Sequence, residues 1–296
     1  MIVRRPATTP EVAADYCCAA GGSPAWHPAE QRLYWVDAPS GRLFRCTPAA
    51  RTHEQVYQAG AGIGGLTVQA DGTVLLFMAS GTVKIWREDS VVTILEPDDG
   101  GKGAALTSAA ADPAGRVFLG FALEGGRAGR ICRLGTDGTI VQLAEGAGVP
   151  SGMAFTADRQ GLYCANWPKR AITLFGYDEG TGTLADARPF ATFPESLGTP
   201  AGLAIDAKGF VWAGARGGSC ALRFSAEGRE EQRLYFPALL VTGLALGGED
   251  GKDLYASTAG GEDRAAHGPG AGALYRFRTA VRSTAPFLSR IQIPRE

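Results

Sequence analysis

Three ionisable side chains in predicted loops are candidates for general acid–base chemistry. His267 lies in a long glycine-rich stretch at residues 259–271, whereas Glu195 and Glu124 lie in shorter connections. An imidazole titrates near neutral pH, and a carboxyl group can exchange protons with a substrate. The sequence therefore predicts His267, Glu195 and Glu124 as catalytic residues. The alternative for each of them is an ordinary solvated loop residue.

Two larger side chains are candidates for ligand binding. Arg216 lies among small residues at positions 214–218, where its guanidinium can bind a carboxylate or an oxyanion. Trp167 can stack on a flat ligand, or it can pack against a neighbouring strand. Ser151 is not predicted as a nucleophile, because the residues around it lack the Gly-x-Ser-x-Gly elbow.

The composition narrows the classes of partner. Of the 296 residues 45% are hydrophobic, and 29 basic against 30 acidic side chains leave a formal charge of -1. This balance provides no basic field for nucleic acid or for an anionic membrane. No stretch reaches the roughly 20 apolar residues of a membrane span, and residues 1–20 lack the apolar run of a signal peptide. We expect a cytoplasmic protein that binds a small molecule and has no nucleic-acid or membrane partner.

A repeat determines the predicted fold. A turn rich in Asp, Pro and Gly, followed by a strand rich in aromatic residues, occurs six times. Successive strands are 42 to 49 residues apart at their central residues, which are Tyr34, Leu76, Phe118, Tyr163, Trp212 and Tyr255. This is the period of a four-stranded propeller blade. The sequence predicts an all-β, six-bladed β-propeller with four antiparallel strands per blade, as one domain over residues 1–296, in which the N-terminal residues close the sixth blade.

Several motifs within the repeats carry a family resemblance. They are GSPAWHP at 22–28, DPAGRVF at 112–118, SGMAF at 151–155 and PAGLAIDAKGFVW at 200–212. With these motifs, residues 21–277 resemble the SMP-30/gluconolactonase/LRE family of six-bladed propellers. The resemblance implies hydrolysis of sugar lactones or related esters, with one divalent cation at the channel mouth that polarises the carbonyl group and activates water.

The positions that hold the cation in that family are small here. Gly22 stands where the resemblance implies a Glu, Ser151 where it implies an Asn, and Ala201 where it implies an Asp. The pair Thr107 and Ser108 replaces an Asn-Asp pair near the substrate. Because one serine hydroxyl cannot replace two carboxylates and an amide, we predict no metal and no cofactor.

The small residues instead predict a wide, neutral pocket. The predicted substrate-binding residues are Gly22, Thr107, Ser108, Ser151, Trp167, Ala201 and Arg216. The leading hypothesis is an enzyme that acts on a bulky, neutral or weakly anionic small molecule by metal-independent hydrolysis, cyclisation or addition–elimination. One alternative is a non-catalytic binder, or an engineered scaffold with an enlarged pocket. Another is a lactone hydrolase with a relocated cation.

Overall fold

The computed structural model describes residues 9–88, 90–97, 103–126, 128–146 and 148–292. These residues form β-strands and turns, and their helical structure is limited to two short 3-10 segments, Glu195–Leu197 and Ala265–His267. The prediction of an all-β fold is confirmed. Within the described ranges no helix is long and apolar enough to cross a membrane.

Four sheets have four antiparallel strands each, in chain order. The first contains β2 (Gly21–His27), β3 (Arg32–Asp37), β4 (Arg42–Thr47) and β5 (Thr52–Gln58). The second contains β6 (Ile63–Val68), β7 (Val74–Met78), β8 (Val83–Arg87) and β9 (Ser90–Leu95). The third contains β10 (Ala104–Ala111), β11 (Val117–Leu123), β12 (Gly129–Leu134) and β13 (Ile140–Glu145). The fourth contains β14 (Pro150–Phe155), β15 (Gly161–Asn166), β16 (Ala171–Asp178) and β17 (Thr183–Thr192).

The remaining strands form one sheet of eight. One half contains β18 (Thr199–Ile205), β19 (Val211–Arg216), β20 (Cys220–Phe224) and β21 (Glu230–Tyr235). The other contains β22 (Leu240–Gly247), β23 (Asp253–Ala259), β24 (Ala273–Arg278) and the N-terminal β1 (Glu11–Asp15), which pairs with β24. The halves are joined by the pairing of Arg216 with Leu240. The structure thus differs from the predicted set of six equal sheets, because this contact merges two of them.

Burial along each sheet explains why the sequence forms these strands. The second strands β3 and β23 are apolar and buried nearly throughout, since neighbouring sheets pack on both of their faces. The fourth strands, such as β5 and β21, are largely polar and exposed. Each four-stranded unit therefore runs from an inner strand that lines the channel, through a buried second strand, to a solvated outer edge.

The core lies between adjacent sheets rather than within any one of them. One cluster joins Tyr34 and Val36 of β3 to Leu76 of β7, and another joins Trp35 to Tyr255 of β23. Trp26 of β2 stacks on Tyr255, with ring centroids 6.0 Å apart and planes 8° apart. The six inner strands β2, β6, β10, β14, β18 and β22 each contact the next, and β22 contacts β2. They form a closed ring around a central channel, which is a propeller-like arrangement.

Two copies of the repeated turn are each held by a buried aspartate. Asp206 accepts hydrogen bonds from the backbone N–H of Lys208 and from the guanidinium of Arg223, at 2.9 and 2.7 Å. Asp112 binds Arg116 in the same way, at 2.5 Å. Both carboxylates are fully buried and paired with an arginine, so these two aspartates are structural rather than catalytic.

A C-terminal segment, residues 279–292, crosses the channel at the face where the inner strands end. We refer to it as the strap. The backbone N–H of Ser289 donates to the carbonyl of Val68 at the end of β6, and that of Arg290 donates to the carbonyl of Gly115 in the turn after β10, at 2.9 and 2.7 Å. Near its start, the carbonyl of Arg282 accepts a hydrogen bond of 2.8 Å from Ala207, after β18. The strap therefore closes one end of the channel.

Candidate functional site

The channel contains a cavity of about 630 Å³. Its wall is formed by the six inner strands, and its floor by strap residues 283–288. The opposite end is the mouth, where the inner strands begin. The cavity is therefore a pocket with one closed end, within the usual size range of small-molecule sites, about 300–1,000 Å³.

Each inner strand contributes one small residue near the mouth, at or next to a break in its pairing register. These six positions, which we call the mouth ring, are Gly22, Gly64, Thr107, Ser151, Ala201 and Thr242. A register break inserts an extra residue into one strand and turns its side chain away from the regular alternation. All six members of the mouth ring line the cavity.

The hydroxyl groups of the mouth ring connect neighbouring sheets. Thr107 Oγ1 donates to the carbonyl of Pro150 at 2.6 Å, and Ser151 Oγ donates to the carbonyl of Pro200 at 2.8 Å. Thr242 Oγ1 donates to the carbonyl of Gly21, which closes the same pattern around the ring. A hydroxyl has a single proton, so these groups keep only acceptor capacity for a ligand.

Two glycines of the inner strands differ in the space around them. A Cβ atom on Gly64 would lie 2.0 Å from the carbonyl oxygen of Leu106, so only glycine allows the second and third inner strands to approach this closely. A Cβ atom on Gly22 would meet nothing within 4 Å. The mouth can therefore accept a side chain at Gly22 but not at Gly64.

The cavity has little charge. Among the described residues that line it, the one charged side chain is that of Arg216, and no Asp, Glu or His is present. Trp167 lies at the mouth with 40% of its surface exposed. The wall below is formed largely by apolar residues, including Leu66, Met153 and Leu244.

The carboxylate of one acidic residue near the mouth is occupied by structural hydrogen bonds. Asp37, at the end of β3, accepts hydrogen bonds from the backbone N–H of Ala20 and from Arg42, at 2.8 and 2.7 Å. Burial by itself would raise the pKa of Asp37, but the hydrogen bonds from Ala20, Arg42 and Ser40 outweigh it, and the pKa is lowered. Asp37 is thus an ionised structural residue with its oxygens occupied.

The oxygen atoms around the cavity can be compared with the ligands that a divalent cation prefers. Hard cations prefer several oxygens with carboxylates among them. The described lining residues supply hydroxyl and backbone carbonyl oxygens, and within the described part of the chain no three His, Cys, Asp or Glu residues form a cluster that could hold a metal. These residues do not fit a divalent cation.

The structure brings the predicted binding residues together. Gly22, Ser151 and Ala201 lie in the mouth ring, and Trp167 and Arg216 lie beside it. Thr107 and Ser108 also line the cavity, and both hydroxyls point to the carbonyl of Pro150.

The three predicted catalytic residues lie on the mouth face, but outside the cavity lining. His267 Nδ1 is 2.9 Å from the carbonyl oxygen of Gly260. Glu195 is 89% exposed at its side chain and lies 3.4 Å from Arg170, and Glu124 is exposed. Their catalytic role stays a prediction, which requires a loop to move or a ligand to extend beyond the mouth.

Sequence reasoning did not predict the floor. Residues 283–288 of the strap line the cavity, although they lie beyond the last repeat. They have no alternating pattern that marks them as part of a sheet. Their apolar composition, with Pro286, Phe287 and Leu288 in succession, was the available signal.

Comparison with known proteins identifies the family. The model of the SMP-30/gluconolactonase/LRE-like region matches residues 20–260. The chain belongs to this family. This chain is 37% identical to the pentonolactonase XacC of Haloferax volcanii, over 94% of this chain and 97% of the relative. The resemblance inferred from the repeat motifs is confirmed.

Two solved structures share the fold of this chain although their sequence identity to it is low. A calcium-binding protein, regucalcin, from Agrobacterium tumefaciens superimposes with a TM-score of 0.86 at 18% identity, over 96% of this chain and 97% of the other. A luciferin-regenerating enzyme gives a TM-score of 0.85 at 21% identity, over 95% and 99%. At these identities the likeness shows the propeller fold alone.

Proposed function

We propose that this chain uses its cavity to bind a bulky, neutral or weakly anionic small molecule, without the divalent cation that the family resemblance implies. The observation that carries the proposal is the cavity lining, in which Arg216 is the one charged side chain among the described residues. A pocket of about 630 Å³ with a mainly apolar wall is suited to a ligand of drug-like size.

The mouth ring supports the loss of the family's cation site. Gly22, Ser151 and Ala201 occupy the positions of the implied ligands, and all three lie at the mouth. Ser151 Oγ also directs its proton to the carbonyl of Pro200, and the described lining residues include no Asp, Glu or His that could act as its base, so it is not arranged as a nucleophile.

Any reaction in this cavity then runs without a cation. Hydrolysis, cyclisation and addition–elimination each develop negative charge on an oxygen, and Arg216 is the group placed to stabilise it. Proton transfer is assigned to His267, Glu195 or Glu124 on the mouth face. A binder without catalysis uses the same cavity and needs none of the three.

A second candidate function is lactone hydrolysis. It is favoured by the 37% identity to a pentonolactonase over nearly the full length of both chains. In this case a cation is recruited through residues other than those at the implied positions. The two candidates differ in their response to a chelator.

The test combines metal binding with lactonase activity. Protein dialysed against EDTA is titrated calorimetrically with Ca²⁺, Mn²⁺ and Zn²⁺, and hydrolysis of pentonolactones is followed by acid release. We expect no stoichiometric cation binding and no cation-dependent hydrolysis. One tightly bound cation per chain, with hydrolysis lost in EDTA and restored by that cation, would establish the second candidate instead.

We also propose that the eight-stranded sheet represents two blades. Its halves are linked by the pairing of Arg216 with Leu240, and the six inner strands form one closed ring. The molecule is then a single six-bladed propeller domain in which β1 completes the sixth blade.

A further inference from the structure

We infer that the ligand is an amphipathic carboxylate, whose head group binds Arg216 at the mouth and whose apolar tail extends to the strap. The inference rests on the proposed function, because it assumes that the cavity binds a small molecule. It adds the chemical class of that molecule, its direction in the cavity and the element that limits its length.

The direction follows from the topology. The inner strands run from the mouth to the floor, so Ser151 at the start of β14 lies at the mouth and Phe155 at its end lies at the floor. The second strands run in the opposite direction. Arg216 ends β19 and Trp167 follows β15, which places both at the mouth. The charged end and the strap are therefore at opposite ends of the cavity.

The wall between these ends is mostly apolar. Leu66, Met153, Leu203 and Leu244 come from four different inner strands and line the cavity below the mouth ring. Phe155 lies four positions after Ser151 along β14, which corresponds to a depth of about 13 Å in an extended strand. This length suits an alkyl or aryl tail rather than a compact polar ring.

Arg216 is available for a ligand. Within the described residues no carboxylate lies within 4.0 Å of its guanidinium, whereas many other arginines, such as Arg42 and Arg223, form ion pairs. Its backbone is fixed by pairing with Thr199 and Leu240. A guanidinium held at the rim of an apolar pocket, with free donors, fits a carboxylate in bidentate geometry.

The polar groups of the cavity disfavour a polyhydroxylated ligand. The hydroxyls of Thr107, Ser151 and Thr242 already donate to backbone carbonyls, so they offer acceptors but no protons. Further down, the lining leucines and Met153 offer no partner for a hydroxyl group. Burying several sugar hydroxyls there without hydrogen bonds is unfavourable.

The strap sets a limit on the tail. Phe287 packs edge-on against Phe155, with ring centroids 6.3 Å apart, and the guanidinium of Arg159 lies 5.8 Å from the ring of Phe287. Gln69 holds the strap beyond this point by hydrogen bonds to the backbone of Ile291. A tail that reaches Phe287 cannot extend further unless the strap moves.

The experiment is a calorimetric titration with straight-chain carboxylates from butanoate to decanoate, and with the primary alcohols of the same lengths. We expect carboxylate affinity to rise about fourfold per methylene, from the transfer free energy of one buried CH₂, and then to level off. Arg216→Ala should weaken carboxylate binding at least tenfold and leave the alcohols unchanged. Arg229→Ala, at an exposed turn, is the matched control and should change neither series.

The floor is tested with Phe287→Ala, which should move the plateau to longer tails and leave the dependence on Arg216 unchanged. Leu288→Ala is the second floor variant, and circular dichroism verifies the fold of each. Alcohols that bind as well as carboxylates, or binding that Arg216→Ala does not weaken, would overturn the inference while the cavity still binds a small molecule. Absence of binding in both series would overturn the inference, whereas the proposed function fails separately, in the cation titration and lactonase assay described above.

Discussion

The hydroxyl group of Ser151 donates a hydrogen bond of 2.8 Å to the carbonyl oxygen of Pro200, which lies on the inner strand of the next sheet. Thr107 makes the equivalent bond to Pro150, at 2.6 Å. Ala201, the next mouth-ring residue around the channel, has no hydroxyl group to make such a bond. The small polar residues of the mouth therefore join neighbouring sheets, in addition to lining the cavity.

This relationship predicts opposite effects of two substitutions. Ser151→Ala should lower the free energy of unfolding by about 1 kcal/mol, because it leaves the carbonyl of Pro200 without its partner. Ala201→Ser introduces a hydroxyl at the equivalent position of the next sheet and should be neutral or stabilising. Urea unfolding monitored by tryptophan fluorescence measures both. Equal destabilisation by the two variants would show that the side chains act through packing rather than through the hydrogen bond.

Restoring the implied cation ligands should create a cation site. Gly22→Glu, Ser151→Asn and Ala201→Asp together should bind Ca²⁺ in calorimetry, since a side chain at Gly22 meets nothing within 4 Å at its Cβ. Each single variant should bind no cation, because one carboxylate or amide cannot satisfy an ion that takes six or more oxygens. A triple variant that folds and binds no Ca²⁺ would refute the assignment of these positions to the family's ligands.

The sequence predicted the elements that repeat, and failed where contacts depend on unrelated segments. Tyr34 and Tyr255 mark second strands because a strand packed on both faces needs a continuous apolar run. The placement of Arg216 beside the mouth followed from its position at the end of such a strand. In contrast, the strap is held in part by backbone hydrogen bonds to Val68 and Gly115, which no side-chain pattern encodes. His267 lies outside the lining because of the path of its glycine-rich loop, and no residue pattern in the sequence predicts that path.

Acid should weaken the fold partly through Asp37. Its pKa is lowered in the folded state, so it contributes stability that is present above its unfolded value near 3.8 and is lost as the pH falls through the folded pKa. Asp37→Asn should lower the free energy of unfolding by about 2 kcal/mol at pH 7, the usual value for hydrogen bonds to a charged group. The difference from the parent protein should shrink below pH 3.8.

Unfolding in urea between pH 2.5 and pH 7 measures the effect of Asp37. Asp186→Asn is the control, because Asp186 is exposed on β17 and its carboxylate makes no hydrogen bond or ion pair with the described residues. If the difference in unfolding free energy between Asp37→Asn and the parent stays constant over this pH range, the ionised carboxylate of Asp37 is not the source of that stability.

Gln69 should control the attachment of the strap. Its buried side chain accepts a hydrogen bond of 2.8 Å from the backbone N–H of Ile291 and donates one of 3.3 Å to the carbonyl of the same residue. Gln69→Ala leaves both backbone groups without their partner and should lower the free energy of unfolding by about 2 kcal/mol. It should also speed tryptic cleavage after Arg282 and Arg290, which are exposed on the strap.

Gln142→Ala, at an exposed site on β13, is the matched control for limited proteolysis followed by mass spectrometry. Cleavage of the strap at the same rate in both variants would show that Gln69 does not hold it, and would assign its attachment to the backbone contacts with Val68 and Gly115.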